Sequence, residues 1–273
     1  MHGLWDQPEV THSYERPGTY TVTIEGLIRG WQFGVVEDGQ LQGHRDAKKL
    51  VEIRQWGPLQ FCADEAHFAG AQNLVVTATD VLDLRGTASL AHTFQGCLFL
   101  TTVPSMNGWD VSSITKMTEM FAGASSFNQD ISAWDVSNVT DMSAMFEHAA
   151  VFNQDISVWD VANLCNMEAM FAGAAAFDQY IGAWNFSIVE DMSRIFEGAT
   201  LSTANYDAVL IGWAARNVQK GVGFEAGDSA YSSGAPARAR QKLIDEHGWK
   251  ITDGGQAPTM HAATVSDGAE HAE

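Results

Sequence analysis

Trp109, Trp134, Trp159 and Trp184 recur every 25 residues, and so do Met117, Met142, Met167 and Met192, and Phe121, Phe146, Phe171 and Phe196. Phe127, Phe152 and Phe177 share the period, as do Ile131, Ile156 and Ile181. Chance does not align several columns in one register, so the chain has to be read as a series of copies before any motif in it is weighed. Earlier copies are looser. Phe68-Ala69-Gly70-Ala71 and Phe94-Gln95-Gly96-Cys97 precede Phe121-Ala122-Gly123-Ala124 by steps of 26 and 27. Six copies are recognisable between about residues 64 and 200.

Within a unit, Ile114, Met117, Met120 and Phe121 stand at i, i+3, i+6 and i+7. That spacing predicts one apolar stripe of a short helix. Gly123, Gly173 and Gly198 follow two residues after the Phe, where a left-handed helix terminus favours glycine, and His148 replaces it in one copy. A short extended piece comes next, as in residues 127–134. Residues 135–138 then turn the chain and offer Ser137 as a helix cap. Neither piece can bury its apolar face alone. Stacked copies can, because equivalent residues pile into ladders around a continuous core. At a strand spacing of about 4.8 Å, six coils make a rod roughly 25 Å long. The expected fold class is an α/β repeat, a solenoid of about six 25–27-residue coils over residues 61–200.

The Met and Phe columns read as core. Trp109, Trp134, Trp159 and Trp184 read either as core or as an exposed aromatic stripe for ligand contact, since Trp suits both. Asn128 and Asn153, with Gln129, Gln154 and Gln179, form amide columns that can hydrogen-bond along the stack or offer a binding surface. Asp110, Asp135 and Asp160 form one acidic column, Asp130 and Asp155 another. Carboxylates about 5 Å apart repel by roughly 1 kcal/mol in water. Two readings follow: turn acceptors for backbone N–H groups, or weaker candidates for Ca²⁺, which takes oxygen ligands of this kind.

Composition narrows the partners. The 273 residues carry 34 acids against 15 bases, a formal charge of −19, which argues against a nucleic-acid backbone. No run of about 18 apolar residues occurs, so no membrane span is expected. Cys62, Cys97 and Cys165 make no metal-type spacing, and three thiols cannot all pair internally. Asp64-Glu65-Ala66-His67 spells a helicase box, but no GxxxxGK[ST] loop accompanies it. Gly227-Asp228-Ser229 is similar to an esterase nucleophile block without evident partners. No catalytic or cofactor-binding residue is predicted.

The string in residues 127–146, Phe-Asn-Gln-Asp-Ile-Ser-Ala-Trp-Asp-Val-Ser-Asn-Val-Thr-Asp-Met-Ser-Ala-Met-Phe, resembles the bacterial surface-protein repeat of 25–26 residues. That repeat is related to BspA-type leucine-rich repeats of surface proteins and lipoproteins. The resemblance covers about half the chain. It implies a leucine-rich-repeat-like solenoid used for attachment, and no catalytic residues. Residues 11–22 resemble the last hairpin of a PKD-like leader module, so residues 1–60 are expected to form a truncated leader and N-terminal β-rich cap. Residues 201–255 are expected to form a C-terminal α/β cap, with Ser202 starting one helix and Gly248 ending another, and residues 256–273 a polar tail.

The expected function is a non-enzymatic, surface-displayed solenoid binding a protein or glycan on a cell or virion surface. Two settings fit. A bacterial surface protein fits the family but shows no classical signal peptide after Met1. A phage or virus structural protein, such as a capsid decoration or receptor-binding fibre component, would need none. Assembly of copies through the tail is a further expectation. A hydrolase acting on surface carbohydrate or peptide is the reading from a different class.

Overall fold

The computed structural model describes residues 15–37, 40–43, 45–61 and 65–258. Single parallel bridges join Ser89 to Lys116, Lys116 to Asp141, Asp141 to Asn166, and Asn166 to Asp191. All five residues belong to one column of the repeat, so copies pair in the register that the sequence period sets.

The expected short helix in each unit is not formed. Residues 118–123 and their equivalents are a run of turns in which alternate N–H groups do different work. Those of Met117, Glu119, Phe121 and Gly123 donate to carbonyls of Asp141, Ser143, Met145 and Glu147 in the next copy, at 2.9, 2.9, 2.9 and 2.6 Å. Those of Met120, Ala122 and Ala124 donate three residues back, to Met117, Glu119 and Phe121. Four of these donors thus bind the next copy and three their own, while in later copies the N–H groups of Ser143, Glu168 and Ser193 are taken by the side chains of Asp141, Asn166 and Asp191. The geometry needs left-handed residues twice per unit. Glycine or His148 supplies one, with φ of 69° at Gly123 and 56° at His148. A non-glycine column supplies the other: Ala66, His92, Glu119, Ala144, Ala169 and Arg194 all lie between 50° and 60°.

The same ribbon still turns Met117, Met120 and Phe121 fully inward. Ring centroids of Phe68, Phe94, Phe121, Phe146, Phe171 and Phe196 follow one another at 5.6 to 5.8 Å, near parallel. Phe127, Phe152 and Phe177 form a second ladder at 6.1 and 6.2 Å. Offset stacking explains why the ring step exceeds the backbone step. Ser137 caps no helix; its N–H and hydroxyl both bond Asp135.

The pairing does not stop where the 25-residue register stops. Met192 bridges Phe224, and β7 (Gly223–Glu225) pairs in parallel with β8 (Lys250–Thr252). Two helices, α1 (Thr203–Ala214) and α2 (Ala235–His247), connect these coils and replace the run of turns. Ser202 caps α1 by accepting from Asn205 N–H at 3.3 Å, and Gly248 ends α2 at φ 68°. Trp213 even continues the Trp column, its Nε1 donating to Ile181 O at 3.2 Å.

At the other end, short strands prolong the parallel pairing. β1 (Ile28–Arg29) pairs with β5 (Leu59–Gln60), and β4 (Glu52–Ile53) with β6 (Val75–Val76). A small antiparallel hairpin joins β2 (Gly34–Glu37) to β3 (Gln40–Gly43). The hairpin expected over residues 11–22 is not found among the described residues: residues 15–27 form no strand and are exposed. Residues 11–14 of that stretch and the tail from residue 259 lie outside the described residues, as does Cys62. Cys97 and Cys165 are free thiols, and burial pushes the Cys97 thiol up.

Candidate binding surface

The Trp column is core. Trp109, Trp134, Trp159 and Trp184 are 4, 4, 4 and 1% exposed, which overturns the exposed aromatic stripe as a binding surface. The reason lies in the indole N–H. Trp134, Trp159 and Trp184 each donate to a carbonyl of the preceding copy, Met106, Ile131 and Ile156. Burial of the ring then leaves no unsatisfied donor in these three copies.

The amide columns stitch copies together. Asn128 Oδ1 accepts from Asn153 N–H and from Gln154 Nε2, both at 2.9 Å. Asn153 Oδ1 accepts in the same way from Asp178 N–H at 2.9 Å and Gln179 Nε2 at 2.7 Å. Asp178 hands the pattern to α1, accepting from Ser202 N–H and Asn205 Nδ2. Gln129 Oε1 takes the N–H of Val103. These side chains sit at the surface but are committed to the stack.

The acidic columns serve as turn acceptors. Asp110 and Asp135 each take the N–H and hydroxyl of a serine two residues on, Ser112 and Ser137. Asp160 takes Ala162 N–H; Asp130 and Asp155 take Ser132 and Ser157 N–H. These bonds hold Asp110, Asp130, Asp135 and Asp155 below the usual carboxylate range. The repulsion of Asp110 on Asp135, and of Asp130 on Asp155, acts the other way and is the smallest of the effects. The carboxylates are thus stabilised as anions by their own turns. Among the described residues, no group of three or more His, Cys, Asp or Glu side chains is placed to hold a metal ion.

The bridged face is polar, and its Asp141, Asn166 and Asp191 are held in place as acceptors for the N–H groups of Ser143, Glu168 and Ser193. Lys116, Asp141, Asn166 and Asp191 lie along it, and beside them run Thr118, Ser143, Glu168 and Ser193. Arg194 pairs with Glu147 at 3.5 Å and with Glu197. Near its start His92 is buried at 6% exposure, its Nδ1 3.1 Å from Gln95 Oε1 and 3.7 Å from Glu119 Oε2. Burial alone would lower the His92 pKa; Glu119, by hydrogen bond and charge, and Gln95 outweigh it and raise the value. The same contact with His92 holds Glu119 down.

A groove of about 370 Å³ opens on another side, between residues 81–85 and residues 108–113. Asp83 lies in it, fixed by Gln60 Nε2 at 2.7 Å and by Arg85 at 2.9 and 2.7 Å. Together these donors hold Asp83 well below the usual carboxylate range. Sequence reasoning missed this groove. The available signal was the lengthening of the period to 26 and 27 between Phe68, Phe94 and Phe121, which marks where regular stacking is interrupted.

Residues 88–209 match a family described as a Mycoplasma protein of unknown function, DUF285. The match covers the regular copies and most of α1, just under half of the chain. No curated protein and no solved structure matches the chain.

Proposed function

We propose that residues 61–200 form a leucine-rich-repeat-like solenoid related to BspA-type surface repeats, and that the chain is a non-enzymatic recognition module displayed on a cell or virion surface. The observation that carries this reading is the bridged face. It holds a polar side chain from each of five successive copies, on a ribbon most of whose backbone donors are engaged and whose apolar side is filled by ladders. A surface of that kind keeps its polar groups in place without a ligand, which lowers the ordering cost of binding. The net charge of −19 directs it away from nucleic acid and anionic membrane. The test is binding of the purified chain to intact cells, virions and immobilised glycans. Saturable binding to one of these is expected. Binding to none of them, or substrate turnover by the same preparation, contradicts the proposal.

A further inference from the structure

Residues 19–24 alternate as a strand does, with Tyr20, Val22 and Ile24 at one set of positions and Thr19, Thr21 and Thr23 at the other. The fold gives that alternation no core to serve. Tyr20, Val22 and Ile24 are 45, 67 and 48% exposed, and Leu27, just beyond, is 54% exposed. Residues 19–25 form neither helix nor strand. An apolar alternation left in water is a template for pairing with another chain unless charge or proline blocks it. Residues 19–24 contain neither.

The segment also lies where pairing can be continued. It runs through Gly26, at φ 90°, into β1, and a Cβ added to Gly26 would meet nothing within 4 Å. Among the described residues β1 pairs on one side only, with β5, so the segment leads into the terminal strand of the stack. Charge decides which part of the molecule a second copy can approach. Residues 88–200 carry 13 acids against 2 bases, so the flanks of two stacks repel. Residues 17–24 carry no charge at all.

We propose that residues 19–24 are a self-association strand, pairing antiparallel with the same residues of a second copy about a two-fold axis at Val22. In that register Val22 faces its own counterpart, Tyr20 faces Ile24 of the second copy, and Thr21 faces Thr23. Residues opposite each other share a face, so one face of the ribbon is wholly apolar and the other is threonine. A slip by one residue sets Tyr20 against Thr23 and scatters the apolar side chains over both faces. Aromatic with β-branched, and threonine with threonine, are favourable cross-strand pairs. The segment is thus complementary to itself. A two-fold pairing closes as a dimer, and it uses no residue of the bridged face. Two strands alone are marginal, so the association is weak and depends on concentration. It stands independently of the recognition reading.

The test is the mass of the full chain by sedimentation over a wide range of concentration. The unaltered chain is expected to pass from one copy to two and to go no further. Val22→Glu sets two carboxylates face to face at the axis and should weaken the pairing about tenfold or more. Val22 lies outside every helix and strand, so this variant is expected to keep the indole NMR signals and the melting curve of the unaltered chain. Cysteines read the register without adding charge. On mild oxidation Val22→Cys should give a covalent dimer, whereas Thr21→Cys alone should give no more than the unaltered chain with its own three cysteines. Mixing Thr21→Cys with Thr23→Cys should restore the cross-link. A chain that stays single at every concentration, or that grows beyond two copies without limit, overturns the proposal. So does a dimer that survives in Val22→Glu, or equal cross-linking at positions 21 and 22.

Discussion

Residues 113–200 and residues 201–256 continue the same pairing but are held by different means. In the first stretch the main contacts are made several times: the phenyl ladder, the indole bond and the amide clamp recur at steps of 25. In the second, the main contacts occur once. Backbone meets backbone where α1 crosses the preceding copy, and a Cβ on Gly212 would stand 2.2 Å from Gly182 O. Arg216 donates to Gly182 O at 2.8 Å and Ala183 O at 2.9 Å. Asp253, 3% exposed at its side chain, accepts from Tyr206 Oη and Arg240 Nε, both at 2.7 Å. Arg240 also reaches Ile251 O at 3.3 Å, so a charged side chain lies over the carbonyl of the last strand. A repeated contact spreads the effect of losing one copy over neighbours, whereas a singular one has no neighbour to share it. The lesson is that repetition builds the length of the stack and unique contacts end it.

The largest expected effect lies in the ladders. Phe146→Ala removes a fully buried ring from between Phe121 and Phe171, and its cost should be about 3–5 kcal/mol in chemical denaturation. Next comes the helical end. Gly212→Ala should cost about 1–3 kcal/mol or more by overpacking. Gly223→Ala, where an added Cβ meets nothing within 4 Å, should be within about 0.5 kcal/mol of neutral. Equal effects of these two variants would remove the close approach from the account.

A smaller effect separates two glycines of one column. Gly123 and Gly173 share φ near 69° and 68°, yet a Cβ on Gly173 would stand 2.2 Å from His148 Nδ1, while on Gly123 it would meet only Gly96 at 3.7 Å. Alanine at either should cost about 1 kcal/mol for the left-handed backbone, with a further penalty at Gly173 alone. In a His148→Gly background that extra penalty should vanish, which a double-mutant cycle of melting curves reads directly.

The smallest effect is in pH. His92 has its pKa raised in the folded chain by Glu119, with Glu65 and Gln95 assisting. Its contribution is therefore fully present below the ordinary histidine pKa and is lost as pH rises through the raised one. The stability gap between the natural chain and His92→Gln should be larger at pH 5 than at pH 8. A gap that is constant, or that widens with pH, would show that the Glu119 contact does not govern the titration.

Much of this was legible from columns, and what was missed has physical causes. The register, the inward Phe and Met residues and the left-handed position at His148 follow from the period itself. The helix did not form because inward positions at i, i+3, i+6 and i+7 suit a run of turns equally well. The left-handed Glu119, Ala144 and Ala169 leave no trace in residue type. Trp was ambiguous because its ring is apolar and its N–H is polar; only the acceptor of the previous copy decides. The Tyr206, Asp253 and Arg240 cluster could not be read, since residues that occur once have no column to reveal them. The groove was signalled only by an irregular step.

Removal of one whole copy tests the central claim, that interchangeable units of 25 residues stack in register, most directly. Deleting residues 142–166 joins Asp141 to Met167 and takes out Trp159 together with Ile156, whose carbonyl accepts from Trp184, so that Trp184 must take over Ile131 as its acceptor. The expected result is a folded chain with eight indole NMR signals instead of nine, only those next to the joint displaced, and a cooperative melt at slightly lower temperature. Loss of dispersion across all the indole signals, or a chain that no longer melts cooperatively, would contradict it.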